Sequence, residues 1–203
     1  VAFPGAPWYP VNDSFEKDEV VFMQQLLIKN ATQMLTMTDG APCGIGLVRN
    51  GWLYAEDGVI RVVGSKDDIR SILDAPMENC TIIDARGKTV LPGFVDCHTH
   101  TLFGGDRVAE YSVRLTHGED PETLNRMGVK NGLFASVEAT RATPREDVKA
   151  QTRRRVREML RHGTTTLEIK SGYGLSTQKE VELLEIIQEL RRELPLDIAS
   201  TFL

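Results

Sequence analysis

The chain has 203 residues, 41% hydrophobic and 26% charged, which is the composition of an ordinary globular protein with a core and a charged surface. Its 24 basic and 29 acidic residues give a net charge of −5, so the charge gives no reason to expect nucleic acid or an anionic membrane as a partner. Three widely spaced cysteines make no disulfide framework, and no apolar run reaches the roughly 18 residues of a membrane helix. We therefore expect a cytoplasmic protein.

The first 90 residues predict an extension followed by a small β-rich module. Prolines at positions 4, 7 and 10, followed by charges at 16–19, are typical of a flexible N-terminal extension over residues 1–19. Strands are predicted over residues 26–31, 51–55, 59–63 and 81–84, and a short helix over 66–73. The dipeptide Asp57-Gly58 predicts a hairpin turn between the second and third strands. Residues 20–90 are thus expected to form one domain.

Residues 91–203 change to alternating strands and helices. Strands are predicted over 91–100, 165–170 and 196–203, and this order is typical of parallel β/α units. A complete eightfold barrel takes about 250 residues, so we expect only its first three strands here and interpret the chain as part of a longer protein.

The helices of this part have predicted ends and faces. Capping boxes at 143–146 and 177–180 predict helix starts, and Gly163 and Pro195 predict helix ends. Asp120-Pro121 predicts a further helix start. Val181, Leu184, Ile187 and Arg191 are predicted to share one side of the last helix. The basic cluster Arg153, Arg154, Arg155, Arg157 and Arg161 is expected to be a solvated helix face.

The segment Val95-Asp96-Cys97-His98-Thr99-His100 carries the clearest chemistry. Along a strand, residues two apart share a face, so the rings of His98 and His100 are expected to lie side by side, with Asp96 on the same face. Two neutral imidazoles suit a cation such as zinc, and Asp96 is a candidate for orienting one of the rings. Taken alone, the same pattern also fits a polar pair at a strand end.

The chain resembles the amidohydrolase superfamily, and within it the imidazolonepropionases, over about residues 26–203. Residues 91–100 resemble the first barrel strand of the superfamily, and residues 56–64 resemble its N-terminal β-sandwich. Residues 103–107 (Phe-Gly-Gly-Asp-Arg) and 163–175 resemble the imidazolonepropionases, and the run Lys-Ser-Gly-Tyr-Gly-Leu that ends the second segment is specific to them. The implied fold is α/β: an incomplete (β/α)8 TIM-type barrel over residues 91–203, limited to its first three strands and preceded by a small β-sandwich module over 20–90.

The resemblance also implies a site and an activity. It makes His98 and His100 ligands of a catalytic Zn2+ or iron ion, Arg107 the group that binds a substrate carboxylate, and Tyr173 a side chain that lines the substrate pocket. The implied reaction is metal-dependent opening of a cyclic amide, 4-imidazolone-5-propanoate to N-formimidoyl-L-glutamate, in histidine degradation. The expected partner is this small-molecule substrate. The remaining metal ligands and the catalytic glutamate are expected beyond Leu203, so no catalytic acid or base is assigned within the chain.

Several alternatives stay open. Arg107 also fits a loop salt bridge, and Tyr173 also fits an aromatic plug. Two segments depart from the pattern of the imidazolonepropionases, Asp120 in place of a tyrosine and Lys130-Asn131-Gly132 in place of a glycine triplet. The competing functions are another amidohydrolase, such as a nucleobase deaminase, and a non-catalytic remnant. The 203-residue chain by itself is expected to be inactive, and a homodimer is left open.

Overall fold

The computed structural model describes residues 25–38, 44–74, 80–118 and 121–203. By its internal contacts the chain divides into two compact units, Val1–Gly93 and Phe94–Leu203, called here the first and second units. The predicted extension over residues 1–19 lies outside the described residues, as do Cys43 and Asp120. Cys80 and Cys97 are free thiols. The assignment of domains stays a prediction.

The first unit is built on one mixed sheet. Its strands are β1 (Gln25–Leu35), β2 (Leu47–Glu56), β3 (Val59–Gly64), β4 (Cys80–Asp84) and β5 (Thr89–Val90), and its helix is α1 (Arg70–Leu73). The strand order is β3-β2-β1-β4, with β5 also paired to β1. Neighbours β1–β2 and β2–β3 are antiparallel, whereas β4 and β5 run parallel to β1. The hairpin predicted at Asp57-Gly58 is confirmed, while the predicted helix over 66–73 is shorter because residues 66–69 form turns.

Both faces of this sheet carry apolar side chains. One face buries Ile28, Met34 and Val90, and the opposite face buries Leu27 and Trp52. An apolar cavity of about 850 Å³ borders the first of these faces within the same unit. The described strands of the first unit lie in one sheet, so the second sheet that a sandwich requires is not among them, and the sandwich stays a prediction.

The second unit is an α/β layer structure. Its elements are β6 (Phe94–Thr99), α2 (Val108–His117), α3 (Pro121–Arg126), α4 (Gly132–Ala142), α5 (Arg145–Arg161), β7 (Thr164–Lys170), α6 (Thr177–Glu193) and β8 (Asp197–Thr201). The strands form a parallel sheet in the order β6-β7-β8. The parallel β/α units that the sequence predicts are therefore confirmed, within a mixed α/β fold.

The core of the second unit lies between the sheet and helices α5 and α6. Leu167 and Ile169 of β7 are buried among apolar side chains that include Val156 of α5 and Leu183 of α6. Of the residues predicted to share one side of α6, Ile187 is buried, and the other buried apolar positions of the helix are Leu183, Ile186 and Leu190. Val181 is 46% exposed.

Both predicted capping boxes were wrong by one position. Pro144 occupies the N-cap of α5, and the Thr143 hydroxyl instead donates to the Ala139 carbonyl at 2.7 Å in the last turn of α4. The N-cap of α6 is Ser176, whose hydroxyl accepts the Lys179 N–H at 3.4 Å. Gly163 does follow the end of α5, as predicted. Within the described ranges, no helix is long and apolar enough to cross a membrane.

Candidate metal and substrate site

The two predicted histidines come together at the carboxyl end of β6. His98 is on the strand and His100 is the first residue after it, and their ring centroids lie 5.5 Å apart with the planes at 58°. Two imidazoles bound to one tetrahedral zinc at bond lengths of about 2 Å have their ring centres about 5 Å apart, so the observed pair fits a shared cation. Among the described residues, no group of three or more His, Cys, Asp and Glu side chains is placed to hold a metal ion. A catalytic site takes about three protein ligands, so the pair supplies two of the ligands that such a site would need.

Thr99, the residue between the two histidines, is hydrogen-bonded to the neighbouring strand β7. The Thr99 hydroxyl donates to the Glu168 carbonyl at 2.6 Å, and the Thr99 N–H donates to the Glu168 carboxylate at 3.2 Å. Burial opposes ionisation of Glu168, but hydrogen bonds from Lys170, Thr201 and the Thr99 N–H lower the pKa of this carboxyl to about 2. A carboxylate with these bonds fixes the strand segment that presents both rings.

Asp96 contacts the backbone rather than a histidine ring. Its Oδ1 atom accepts the His98 N–H at 3.3 Å. The predicted role of Asp96 in orienting a ring therefore stays a prediction.

Tyr173 reaches the histidine pair from the loop that follows β7. Its ring centroid lies 5.8 Å from that of His100 at 60°, and 6.1 Å from that of Phe103 in an edge-on contact. Active-site loops of β/α barrels lie at the carboxyl ends of the strands, and both Tyr173 and His100 are at such ends. Two residues predicted from separate segments are in this way neighbours in the folded unit.

Arg107 forms an ion pair with a buried carboxylate. Its Nε atom donates to Glu110 at 2.6 Å, and Glu110 also accepts from Arg114 at 2.9 Å and from the Gly132 N–H at 3.1 Å. Hydrogen bonding to Glu110 raises the pKa of Arg107. The same bond from Arg107, helped by Arg114 and Gly132 and opposed by burial, lowers the pKa of Glu110 to about 2.

The loop salt bridge weighed as an alternative for Arg107 is thus present in the structure. It involves the Nε and Nη2 atoms, and a guanidinium carries five N–H donors, so it does not exhaust the donors of Arg107. Gly132 belongs to the segment Lys130-Asn131-Gly132 that departs from the family pattern, and it is in direct contact with Glu110. The departure therefore lies next to the partner of Arg107.

A cavity of about 250 Å³ brings both predicted substrate-binding residues together. It is lined by Phe103, Gly104, Asp106, Arg107, Ser136 and Tyr173. Its size is close to the lower end of the range for small-molecule sites, which is about 300 to 1,000 Å³. A guanidinium on one part of the wall and a phenol on another suit a small anionic ligand with a polar ring.

The loop that carries Arg107 is held by side chains that the sequence does not single out. The Gly104 N–H donates to the Thr140 hydroxyl at 3.1 Å, and a Cβ atom at position 104 would lie 2.5 Å from the Thr143 hydroxyl, so only glycine fits. Arg155 donates to three loop carbonyls, those of Thr101, Phe103 and Gly105, at 2.7 to 3.2 Å.

The guanidinium of Arg155 also stacks on a ring of this loop, with its carbon 3.5 Å from the Phe103 centroid. The expectation that Arg155 belongs to a solvated basic face was therefore wrong. One side of α5 packs on the sheet, and Arg155 lies on this helix. The sequence could therefore have indicated that one arginine of the cluster points inward.

The chain is similar to several known proteins. The model of the amidohydrolase family matches residues 81–121, a range that contains both histidines and Arg107. The chain is 35% identical over 189 residues to an imidazolonepropionase of Geobacillus sp. (strain WCH70), an alignment that covers 89% of this chain and 44% of the relative. It is 44% identical over 156 residues to an imidazolonepropionase of Syntrophobacter fumaroxidans, covering 77% of this chain and 36% of the relative. The chain therefore spans less than half the length of these curated relatives.

Solved structures show the same fold at lower identity. An Aspergillus niger ochratoxinase matches with a TM-score of 0.52 and 24% identity, over 87% of this chain and 31% of that protein. An Escherichia coli guanine deaminase matches with a TM-score of 0.53 and 16% identity, over 88% of this chain and 36% of that protein. The resemblance to amidohydrolases is confirmed, and at the level of sequence it is a resemblance to imidazolonepropionases. For the site, it implies a divalent metal.

Proposed function

We propose that this chain contributes the histidine pair and part of the substrate pocket to a metal-dependent hydrolase that opens a cyclic amide. The proposed reaction converts 4-imidazolone-5-propanoate to N-formimidoyl-L-glutamate, as the names of the similar proteins suggest. The observation that carries the proposal is the contact of His98 with His100 and of His100 with Tyr173, in a unit that resembles imidazolonepropionases. The three parallel strands β6, β7 and β8 are proposed to be the first three of a barrel, and the first unit to be part of a β-sandwich.

The donor set supports a zinc or iron site. His98 and His100 would hold the cation, and further ligands have to come from outside the described residues. Such a cation supplies Lewis-acid chemistry, because it makes water nucleophilic at neutral pH and polarises an amide carbonyl.

The chain's own residues would bind and orient the substrate. The propanoate carboxylate is proposed to pair with Arg107, whose planar fork matches a carboxylate. The imidazolone ring would lie against Tyr173, which places the ring carbonyl towards His98 and His100. In the reaction, a water oxygen bonds to the ring carbonyl carbon, the amide C–N bond breaks, and the released nitrogen takes a proton. The group that delivers this proton is not assigned among the described residues.

We also propose that the partner is a small molecule rather than nucleic acid or a membrane, and that the protein works in the cytoplasm. A homodimer is compatible with this proposal. No observation on the site favours a nucleobase deaminase, because the likeness to guanine deaminase concerns the fold alone.

Turnover of the proposed substrate tests the proposal. The protein as its gene encodes it is loaded with zinc or iron, and loss of the imidazolone ultraviolet absorbance is followed with and without a chelator. We expect chelator-sensitive turnover that His98→Ala and His100→Ala abolish. The matched control is His162→Ala, since the His162 ring contacts the Glu158 carbonyl at the end of α5, away from the histidine pair.

Three results would contradict the proposal. Lack of turnover by the metal-loaded protein would exclude the reaction, and turnover of guanine in its place would identify a deaminase. Weak or absent metal binding, with no turnover of either substrate, would favour the non-catalytic alternative.

A further inference from the structure

Glu180 is a buried carboxylate that accepts hydrogen bonds from the loop carrying Tyr173. It lies in the first turn of α6 and is 4% exposed. Its Oε2 atom accepts the Gly172 N–H at 2.7 Å, and its Oε1 atom accepts the N–H groups of Gly174 at 2.7 Å and Leu175 at 2.8 Å. Hydrogen bonds from N–H groups to an ionised carboxylate are about twice as strong as neutral ones, so this loop is strongly held.

The loop and the helix start are also in close backbone contact. A Cβ atom built on Gly174 would lie 2.9 Å from Oε1 of Glu180 and 3.0 Å from its backbone nitrogen. On the other side of the loop, the Arg141 Nε atom donates to the Gly174 carbonyl at 2.6 Å. The backbone is therefore held at the residue before Tyr173 and at the residue after it, and Glu180 accepts an N–H from each of these two glycines.

Helix capping alone does not account for this arrangement. The N-cap of α6 is Ser176, which accepts the Lys179 N–H, and the Glu180 N–H bonds to the Ser176 carbonyl at 2.9 Å. In a capping box, a glutamate side chain returns to the N–H of its own N-cap residue. The Glu180 carboxylate instead accepts from residues that precede the helix, on either side of the tyrosine beside His100.

We propose that Glu180 is a positioning residue that holds the Tyr173 ring against His100 and the Arg107 cavity. The effect of Glu180 on catalysis rests on the proposed function. The effect of Glu180 on the position of the Tyr173 ring does not, and it can be tested in the 203-residue chain. In the sequence, the indication of this contact is a glutamate shortly after a turn with two glycines, a pattern that a capping box shares.

The geometric claim is tested by nuclear magnetic resonance of the 203-residue chain. The variant is Glu180→Gln, in which an N–H donor replaces one acceptor oxygen, and the matched control is Glu185→Gln, an exposed position of the same helix. We expect Glu180→Gln to speed amide hydrogen exchange of Gly172, Gly174 and Leu175 and to remove the nuclear Overhauser contact between the Tyr173 and His100 rings. Glu185→Gln should leave both unchanged. Retention of the ring contact and of slow exchange in Glu180→Gln would overturn the proposal.

If Glu180→Gln does not fold, as judged by circular dichroism, Gly174→Ala perturbs the same contact from the loop side. We then expect the same loss of the ring contact, and its retention would overturn the proposal. Glu180→Asp keeps the charge with a shorter reach and should restore part of the exchange protection.

The catalytic consequence is tested in the metal-loaded protein as its gene encodes it. We expect Glu180→Gln to lower kcat/KM for the imidazolone about ten- to a hundredfold, the range seen for residues that orient site groups. In a Tyr173→Ala background, Glu180→Gln should cause no further loss, because its effect is exerted through the ring. Additive losses would overturn the positioning role. If the unmodified protein does not turn over the imidazolone, the proposed function fails, and the resonance data alone decide the role of Glu180.

Discussion

Single side chains in the second unit connect loops to helices through buried charge. Glu110 is 2% exposed and contacts Arg107, Arg114 and the backbone of Gly132, so it joins α2 and its N-cap residue to the start of α4. Arg155 does the same for the loop after His100 through carbonyl oxygens. A buried charged group persists only when its partners are in place, and these contacts therefore define the shape of the cavity beside Tyr173.

A change at Arg107 should affect substrate binding more than the chemical step. In Arg107→Lys, a point charge replaces the planar fork, and we expect KM for the imidazolone to rise about tenfold or more with kcat little changed, since uniform binding is lost. Steady-state kinetics of the metal-loaded protein measure both constants. Arg114→Lys is the control, because Arg114 pairs with the same glutamate but does not line the cavity. An equal rise of KM in the two variants would attribute the effect to the salt bridge.

The low pKa of Glu110 predicts a specific loss of stability in acid. Its pKa is lowered from 4.5 to about 2 in the folded chain, chiefly by the hydrogen bond from Arg107. A lowered carboxyl pKa stabilises the fold fully above about pH 4.5, and the contribution is lost as the pH falls towards 2. The free energy of unfolding in urea should therefore fall more steeply between pH 5 and 3 for the unmodified chain than for Glu110→Gln. Glu185→Gln should follow the unmodified chain, and parallel curves for Glu110→Gln would refute the prediction.

At the scale of the elements, the sequence predicted the presence of helices and strands better than it predicted where the helices begin and which of their side chains face solvent. The hairpin at Asp57-Gly58 and the β/α order of the second unit were predicted correctly, because both follow from patterns within short stretches of the sequence. The caps did not follow, because the Thr143 hydroxyl bonds to α4 and the Glu180 carboxylate bonds to a loop. The group to which a capping side chain bonds depends on residues that the fold brings close to it. A short stretch of sequence does not contain those residues.

The buried face of α6 gives a stability prediction. Leu183 is fully buried in the core of the second unit, so Leu183→Ala should lower the free energy of unfolding by about 2 to 5 kcal/mol. Val181 lies two residues earlier and is 46% exposed, so Val181→Ala should change it by less than about 0.5 kcal/mol. Urea titration followed by circular dichroism measures both. The reverse order of effects would contradict this assignment of the buried face.

At the scale of the whole molecule, the sequence predicts some parts of the candidate site and not others. The pairing of His98 with His100 was predictable, because it needs only strand periodicity and the two residue types. The cavity shared by Arg107 and Tyr173 could be anticipated only through resemblance, since 66 positions separate these residues in the sequence. Glu110, Arg155 and Glu180 each form hydrogen bonds to another segment of the chain, and only the folded structure shows these contacts.

The incomplete ligand set predicts how the 203-residue chain binds metal. With two imidazoles and no third ligand placed beside them among the described residues, zinc should bind weakly to the chain by itself. Isothermal titration calorimetry should give a dissociation constant in the micromolar range or weaker, and either His98→Ala or His100→Ala should abolish the heat, because a single imidazole holds the ion poorly. His162→Ala should leave the titration unchanged, since that ring is bonded to the Glu158 carbonyl. Tight stoichiometric binding would require a third ligand from the chain, and binding that survives both histidine variants would place the metal elsewhere and remove the basis of the proposed hydrolase site.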